Sequence, residues 1–241
     1  NNDTAVCVSE SVPLAGTGTS NPTSYLWTSA GGTFSNDTTA NTSINFSTPG
    51  PKIVLLKTSN QYGEGLTDTM NITVIAKPIA EILASDTLFL CEGDSTLLQA
   101  RSQFNSTYKW APSNTFGNSL WVKDSGAYQV TVTNSSGCQK ISNSIHVIIK
   151  PKPTTSIVAL NSNDTVCNLF PQQFVHSSNL VLDSFHIYKN GLYFETSTAD
   201  TFEVTPSSSD SMSIEVIGFS GNCSSELSNS ITKYTLPTPN A

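Results

Sequence analysis

One short phrase opens three stretches of this sequence: Asp3-Thr4-Ala5-Val6-Cys7, Asp86-Thr87-Leu88-Phe89-Leu90-Cys91 and Asp164-Thr165-Val166-Cys167. Its cysteines stand 84 and then 76 residues apart. That interval exceeds the ~20–50 residues of a solenoid repeat and matches a small all-β domain, so each phrase is expected to open a domain. The domains also close alike. Ser142-Asn143-Ser144-Ile145 returns as Ser228-Asn229-Ser230-Ile231, and Thr69-Met70-Asn71-Ile72 holds the corresponding place in the first stretch. Proline joints follow at Lys77-Pro78, Lys150-Pro151-Lys152-Pro153 and Leu236-Pro237-Thr238-Pro239. The expected domains are residues 1–78, 79–153 and 154–236, with 237–241 a linker to a following module. Proline fixes φ and stiffens extended linkers, so the expected shape is a rod.

Within each stretch the apolar period is two, the mark of a strand with one face on a core. Tyr128, Val130 and Val132 share one face of their segment, and Met212, Ile214 and Val216 repeat the pattern. Ile53-Val54-Leu55-Leu56 reads as a strand covered on both faces or a short core strand. Trp27 and Trp110 read as core anchors. Turn signals separate the runs at Gly31-Gly32, Asn60-Gln61-Tyr62-Gly63, Asn134-Ser135-Ser136-Gly137 and Asn190-Gly191. The fold class is therefore all-β: three tandem β-sandwiches in an elongated array.

Five cysteines are expected to form two disulfides, Cys91–Cys138 and Cys167–Cys223, each inside its own domain. The first domain has Glu64 where a partner would stand, so Cys7 is expected to be a free, buried thiol. Disulfides imply an oxidising compartment.

Several function classes are set aside. Lys and Arg total 11 against 18 Asp and Glu, with no basic stripe of the kind nucleic-acid binders carry. No apolar run approaches the roughly 18 residues of a membrane-spanning helix, and the start shows no export signal, so the chain reads as a fragment whose targeting information lies elsewhere. No Cys-x-x-Cys or paired-histidine spacing suggests zinc, and no metal site or cofactor is expected. The three histidines, His146, His176 and His186, read as strand or surface residues, and no nucleophile or phosphate-loop motif is present. No enzyme activity is expected.

Two segments carry family marks. Tyr25-Leu26-Trp27-Thr28-Ser29-Ala30-Gly31-Gly32-Thr33-Phe34, followed by Pro49-Gly50 and Asn60-Gln61-Tyr62-Gly63, resembles the PKD module. Cys91-Glu92-Gly93-Asp94-Ser95, Tyr108-Lys109-Trp110, Asp124-Ser125-Gly126-Ala127-Tyr128 and Gly137-Cys138 resemble the immunoglobulin-like repeats of large Bacteroidota surface proteins. The third stretch has Phe185-His186-Ile187-Tyr188 in place of the Tyr-x-Trp strand and joins the set through its cysteine frame and closing phrase. Such arrays resemble the stalks of type IX-secreted adhesins, including the SprB-type filaments of gliding cells. The resemblance implies a non-catalytic, secreted cell-surface spacer, attached to the outer membrane through regions outside this sequence. Its implied partners are neighbouring repeats, surface polysaccharide, and outer-membrane motility or secretion components.

The same resemblance implies O-glycosylation at Asp-Ser/Thr followed by an aliphatic residue, Met or Thr: Thr4, Thr87 and Thr165 at the repeated position, and Thr38, Thr69, Ser95 and Ser211 elsewhere. Without a glycan, the Asp-Thr pair would form a hydrogen-bonded turn into the first strand. Triplets at Asn36, Asn71, Asn105 and Asn134 would accept N-glycans only in a eukaryotic secretory host. The rival function is an accessory carbohydrate-binding array of a secreted hydrolase, with Trp121 as the candidate stacking residue. Calcium bridging through Asp86, Glu92 or Asp94 would suit hard oxygen ligands, but no Asp-rich loop accompanies them.

Overall fold

The computed structural model describes residues 4–17, 21–207 and 211–236, so the expected linker 237–241 lies outside the described residues, as do Asp3 and Asp210. Every element is a strand, and the strands form three consecutive pairs of sheets. In the first pair, β1 (Thr4–Cys7), β3 (Ser24–Ser29), β6 (Gly50–Asn60), β7 (Gly63–Glu64) and β8 (Asp68–Ile75) make one sheet in the order β1-β8-β6-β3, with β7 also on β6. The strands β2 (Ser11–Ala15), β4 (Gly32–Phe34) and β5 (Asn41–Phe46) make the other. Val12, Trp27, Ile44, Phe46, Val54 and Ile72 form the core between them, and the indole of Trp27 donates to Thr39 O at 2.9 Å. In β6 only alternate residues, Val54 and Leu56, are buried, while Ile53 faces solvent, so the apolar block there is a one-faced strand.

The second pair comprises β9 (Thr87–Cys91), β10 (Thr96–Gln99), β11 (Ser106–Ala111), β12 (Ser119–Val122), β13 (Gly126–Asn134), β14 (Gln139–Ile141) and β15 (Ile145–Lys150). One sheet has the order β11-β13-β15-β9 with β14 on β13, and the other is β10-β12. Trp110 is fully buried, stands opposite Val130 in the β11–β13 ladder, and donates from its indole to Gly117 O at 2.9 Å. Tyr128, Val130 and Val132 are all buried, as their period-two spacing requires.

The third pair comprises β16 (Thr155–Ala159), β17 (Thr165–Cys167), β18 (Gln172–Ser178), β19 (Ser184–Lys189), β20 (Leu192–Ser197), β21 (Thr201–Val204), β22 (Ser211–Ser220), β23 (Cys223–Ser224) and β24 (Ile231–Leu236). Its sheets are β16-β18-β21 and β17-β24-β22-β19-β20, with β23 on β22. Phe174, Phe185, Phe202, Ile187 and Val216 fill the space between them. Lys233 is also buried, and its ammonium donates to Asn161 O at 2.8 Å and Asn163 O at 2.6 Å, fixing the loop that leads into β17.

The chain is thus a multi-domain array of β-sandwiches. By its internal contacts it gathers into two compact units, one of Asn1–Asp86, Leu97–Trp121 and Ala127–His146, the other of Thr87–Thr96, Val122–Gly126 and Val147–Ala241. Among the described residues no strand pairing joins the first pair of sheets to the second, or the second to the third.

The repeated closing phrase has a physical reason. Ser142 Oγ accepts from Val130 N at 3.0 Å and donates to Asn143 O at 2.7 Å, while Asn143 Oδ1 accepts from Ile82 N at 3.0 Å. Ser228 and Asn229 repeat this on Val216 N, at 3.0 Å, and Ile157 N, at 2.8 Å. The serine hydroxyl accepts and donates at once, and the asparagine side-chain carbonyl accepts from a second segment. Removing one acceptor strands a buried N–H, which costs about 1–3 kcal/mol. Ser142→Ala is therefore expected to lower the urea midpoint by that equivalent, whereas Ser144→Ala, whose side chain takes no part in these bonds, should shift it by a few tenths at most.

Candidate functional site at the cystine joints

The three opening strands end alike. Val8 N donates to Ile75 O at 2.9 Å, Glu92 N to Lys150 O at 2.8 Å, and Asn168 N to Leu236 O at 3.1 Å. Each bond places the preceding cysteine beside the last residue of a closing strand. In the first and third pairs the opening strand runs parallel to it, with Cys7 opposite Ile75 and Cys167 opposite Leu236. The turn cysteines sit behind glycine turns on the long hairpin. Asn134 Oδ1 accepts from Cys138 N at 2.9 Å and from Ser136 N at 3.1 Å, and Cys223 stands opposite Ser220 in the β22–β23 ladder.

This geometry overturns the expected pairing. In the third pair of sheets Ser211, the first residue of β22, stands opposite Tyr234, two residues before Leu236, while Ser220 at the far end adjoins Cys223. Cys167 and Cys223 are therefore separated by the length of β22, about 30 Å, where a disulfide needs Cα atoms within about 7 Å. The disulfides are instead Cys7–Cys138, with Cα atoms 5.6 Å apart, and Cys91–Cys223, at 5.5 Å. Neither Cys91–Cys138 nor Cys167–Cys223 forms. Cys7 is bonded, and the free thiol is Cys167, which is exposed.

Each cystine joins the closing end of one pair of sheets to the hairpin turn of the next, and other contacts accompany it. Beside the first, Asn134 Nδ2 donates to Ala76 O at 3.0 Å. Beside the second, the Lys150 ammonium lies 4.7 Å from the centre of the Phe89 ring, a cation–π contact, and Lys152 pairs with Asp94 at 3.3 Å. At the matching turn of the first pair, Gly63 is followed by Glu64, which pairs with Lys57 at 2.8 Å. The hydrogen bond and charge of Lys57 hold the Glu64 carboxyl below its ordinary pKa.

The other predicted residues are dispersed. Trp27 and Trp110 are core residues, whereas Trp121 on β12 is 68% exposed. Thr38, Thr69, Thr87, Ser95, Thr165 and Ser211 are exposed and Thr4 is half-buried. The Asp86 and Asp164 backbone carbonyls accept from His146 N, at 2.8 Å, and Tyr234 N, at 2.7 Å, at the entry of each opening strand. Among the described residues no three His, Cys, Asp or Glu side chains converge as a metal site. No helix among them is long and apolar enough to cross a membrane. One cluster escaped the sequence reading: the His186 ring lies 5.3 Å from Tyr193 and 4.5 Å from Phe219 on the third pair of sheets. The Tyr193 ring is also edge-on to Tyr188 at 6.3 Å. The signal was the aromatic density of Tyr188 to Phe194 across the Asn190-Gly191 turn.

His146 is exposed, whereas the His176 side chain is 9% exposed, its ring 4.2 Å from Phe185 and its Nε2 3.6 Å from Asp200. Burial lowers its pKa, and the Asp200 charge offsets part of that. The folded chain therefore binds this proton less readily than the unfolded chain, whose histidine titrates near 6.5. The stability is fully present above that value and is lost as pH falls through it towards the folded pKa. The urea midpoint of the third pair of sheets should fall between pH 7.5 and pH 5, with a shallower fall in His176→Gln.

No family model matches the chain, and no curated protein does. Among solved structures, the fibronectin(III)-like modules of Clostridium thermocellum CbhA are similar at 10% identity and a TM-score of 0.44, over 66% of this chain and 95% of theirs. The I67–I69 fragment of titin is similar at 11% identity and a TM-score of 0.38, over 99% and 96%. The FN1–FN3 domains of chicken CNTN1 are similar at 11% identity and 0.38, over 97% and 98%. The solved structures that this chain resembles are thus immunoglobulin-like or fibronectin-III-like domain repeats.

Proposed function

We propose that this chain is a non-catalytic repeat segment of a large cell-surface adhesin, a semi-rigid stalk that holds an adhesive region away from the cell in surface adhesion or gliding. Its modules are residues 1–78, 79–153 and 154–236. The observation that carries the reading is that both cystines bridge joints between modules instead of closing a module on itself. A disulfide inside a sandwich raises the stability of that sandwich, whereas one across a joint restricts the angle between neighbours and adds a covalent path for load. A spacer needs the second property. The compartment is extracellular, in keeping with two disulfides, and the partners are adjoining repeats, surface polysaccharide, and outer-membrane motility or secretion components. The exposed hydroxyls of Thr87 and Thr165, with Thr4 at the same position, are the first O-glycan candidates. An intact mass from the native host equal to the bare polypeptide would end that part of the reading.

The exposure of Trp121 favours one rival, an accessory carbohydrate-binding array of a secreted hydrolase, because a flat, solvated indole can stack on a sugar face. A screen against immobilised polysaccharides separates the two. The spacer should show no saturable binding, and deletion of this segment in the native host should shorten surface projections and reduce attachment. Saturable binding that disappears in Trp121→Ala would reject the pure spacer.

A further inference from the structure

Three cysteines occupy one position in the repeat. Cys7, Cys91 and Cys167 each end an opening strand, and the next residue in each case donates its N–H to the end of the closing strand, at 2.9, 2.8 and 3.1 Å. Two of the three are bonded, both to the same kind of partner: a cysteine directly behind, or two residues behind, a glycine in the turn of a long hairpin, Gly137-Cys138 and Gly221-Asn222-Cys223. The third is exposed and free. The two filled sites are therefore an internal comparison that specifies what the vacant one takes.

The surroundings of Cys167 fit a covered end. Leu169 and Phe170, 67% and 62% exposed, adjoin it in sequence, and Leu236, its ladder partner, is exposed as well. At the first joint the incoming hairpin adds a hydrogen bond beside the cystine, from Asn134 Nδ2 to Ala76 O. Lys233 holds the loop before β17 through Asn161 and Asn163, so the strand that presents Cys167 is fixed in place.

We infer that Cys167 is one half of a third joint cystine, whose other half is a cysteine behind the glycine turn of a further β-sandwich module. The inference rests on the stapled-array reading above. Formation proceeds by thiol–disulfide exchange. The Cys167 thiolate attacks one sulfur of a disulfide oxidant, such as glutathione disulfide or an oxidoreductase cystine, and releases one thiolate. The partner cysteine then displaces the second thiolate. The two cysteines lose two electrons and two protons, and the oxidant leaves as two thiols.

The test is peptide mapping of the protein from its native source, alkylated before any reductant is added. The expected map pairs Cys167 with a peptide in which a cysteine follows a glycine by one or two residues, alongside the Cys7–Cys138 and Cys91–Cys223 peptides. Cys167 recovered as the alkylated thiol, or as a mixed disulfide with glutathione only, overturns the inference while the other two pairs leave the array reading intact. Cystines within single modules would instead overturn both.

Discussion

Stretched between its two ends with both cystines intact, the chain should reach no more than about 25 nm, and after reduction about 85 nm, at the ~3.6 Å per residue of extended backbone. The contrast follows from the order of the bonds. The shortest covalent route enters at the first residue, crosses from Cys7 to Cys138, runs backward along the chain to Cys91, crosses to Cys223 and leaves through the last strand. That route contains only about 70 residues of extensible chain. Most of the first pair of sheets and most of the third lie in slack loops that bear no tension once the cystines are loaded. Disulfides inside single modules, Cys91–Cys138 and Cys167–Cys223, would instead allow about 50 nm. Single-molecule stretching separates the three cases, and a terminal length near 50 or 85 nm for the oxidised chain would refute the joint cystines.

Much of this fold is legible in the sequence, because burial in a sandwich leaves a local trace. Tyr128, Val130 and Val132 alternate with polar residues and are all buried, and Trp27 and Trp110 are the core anchors their strand positions suggest. The recurring Asp-Thr and Ser-Asn-Ser-Ile phrases proved to mark the entry of the opening strand and a hydrogen-bonded clasp. What the sequence conceals is which pole of a sandwich each residue occupies. Cys167 and Cys223 belong to one repeat, and spacing alone invites their pairing. Strand direction decides otherwise, since the opening strand ends at one pole and the hairpin turns at the other. The five cysteines were thus found as a set, while their partners depended on how successive repeats meet, which no pattern within one repeat records. The His186, Tyr193 and Phe219 cluster was hidden for a related reason: His186 and Phe219 lie on different strands that only the ladder brings together.

Replacing Cys7 and Cys138 together by serine should cost about 5 kcal/mol, the loop-entropy value for a cross-link spanning 131 residues. The effect falls on the denatured chain, so the loss should appear in the folding limb as well as in the equilibrium midpoint if the joint forms before the unfolding barrier. It should also be insensitive to which sandwich opens first. If the first sandwich unfolds alone, its cystine still tethers Cys7 to a folded neighbour, closing a loop of about half the length, and a halved loop changes the term by only ~0.6 kcal/mol. Trp27 lies in the core of the first sandwich and provides a local fluorescence probe in a Trp110→Phe, Trp121→Phe background. Cys91 and Cys223 should repeat the result. Removing both cystines should cost slightly more than the two single losses added, because the loops share the segment from Cys91 to Cys138 and each cross-link, while the other remains, closes a chain already shortened by it. Equal midpoints for the native chain and the Cys7→Ser, Cys138→Ser variant under oxidising conditions would mean that the bond does not constrain the unfolded chain, and the load-bearing role would fail with it.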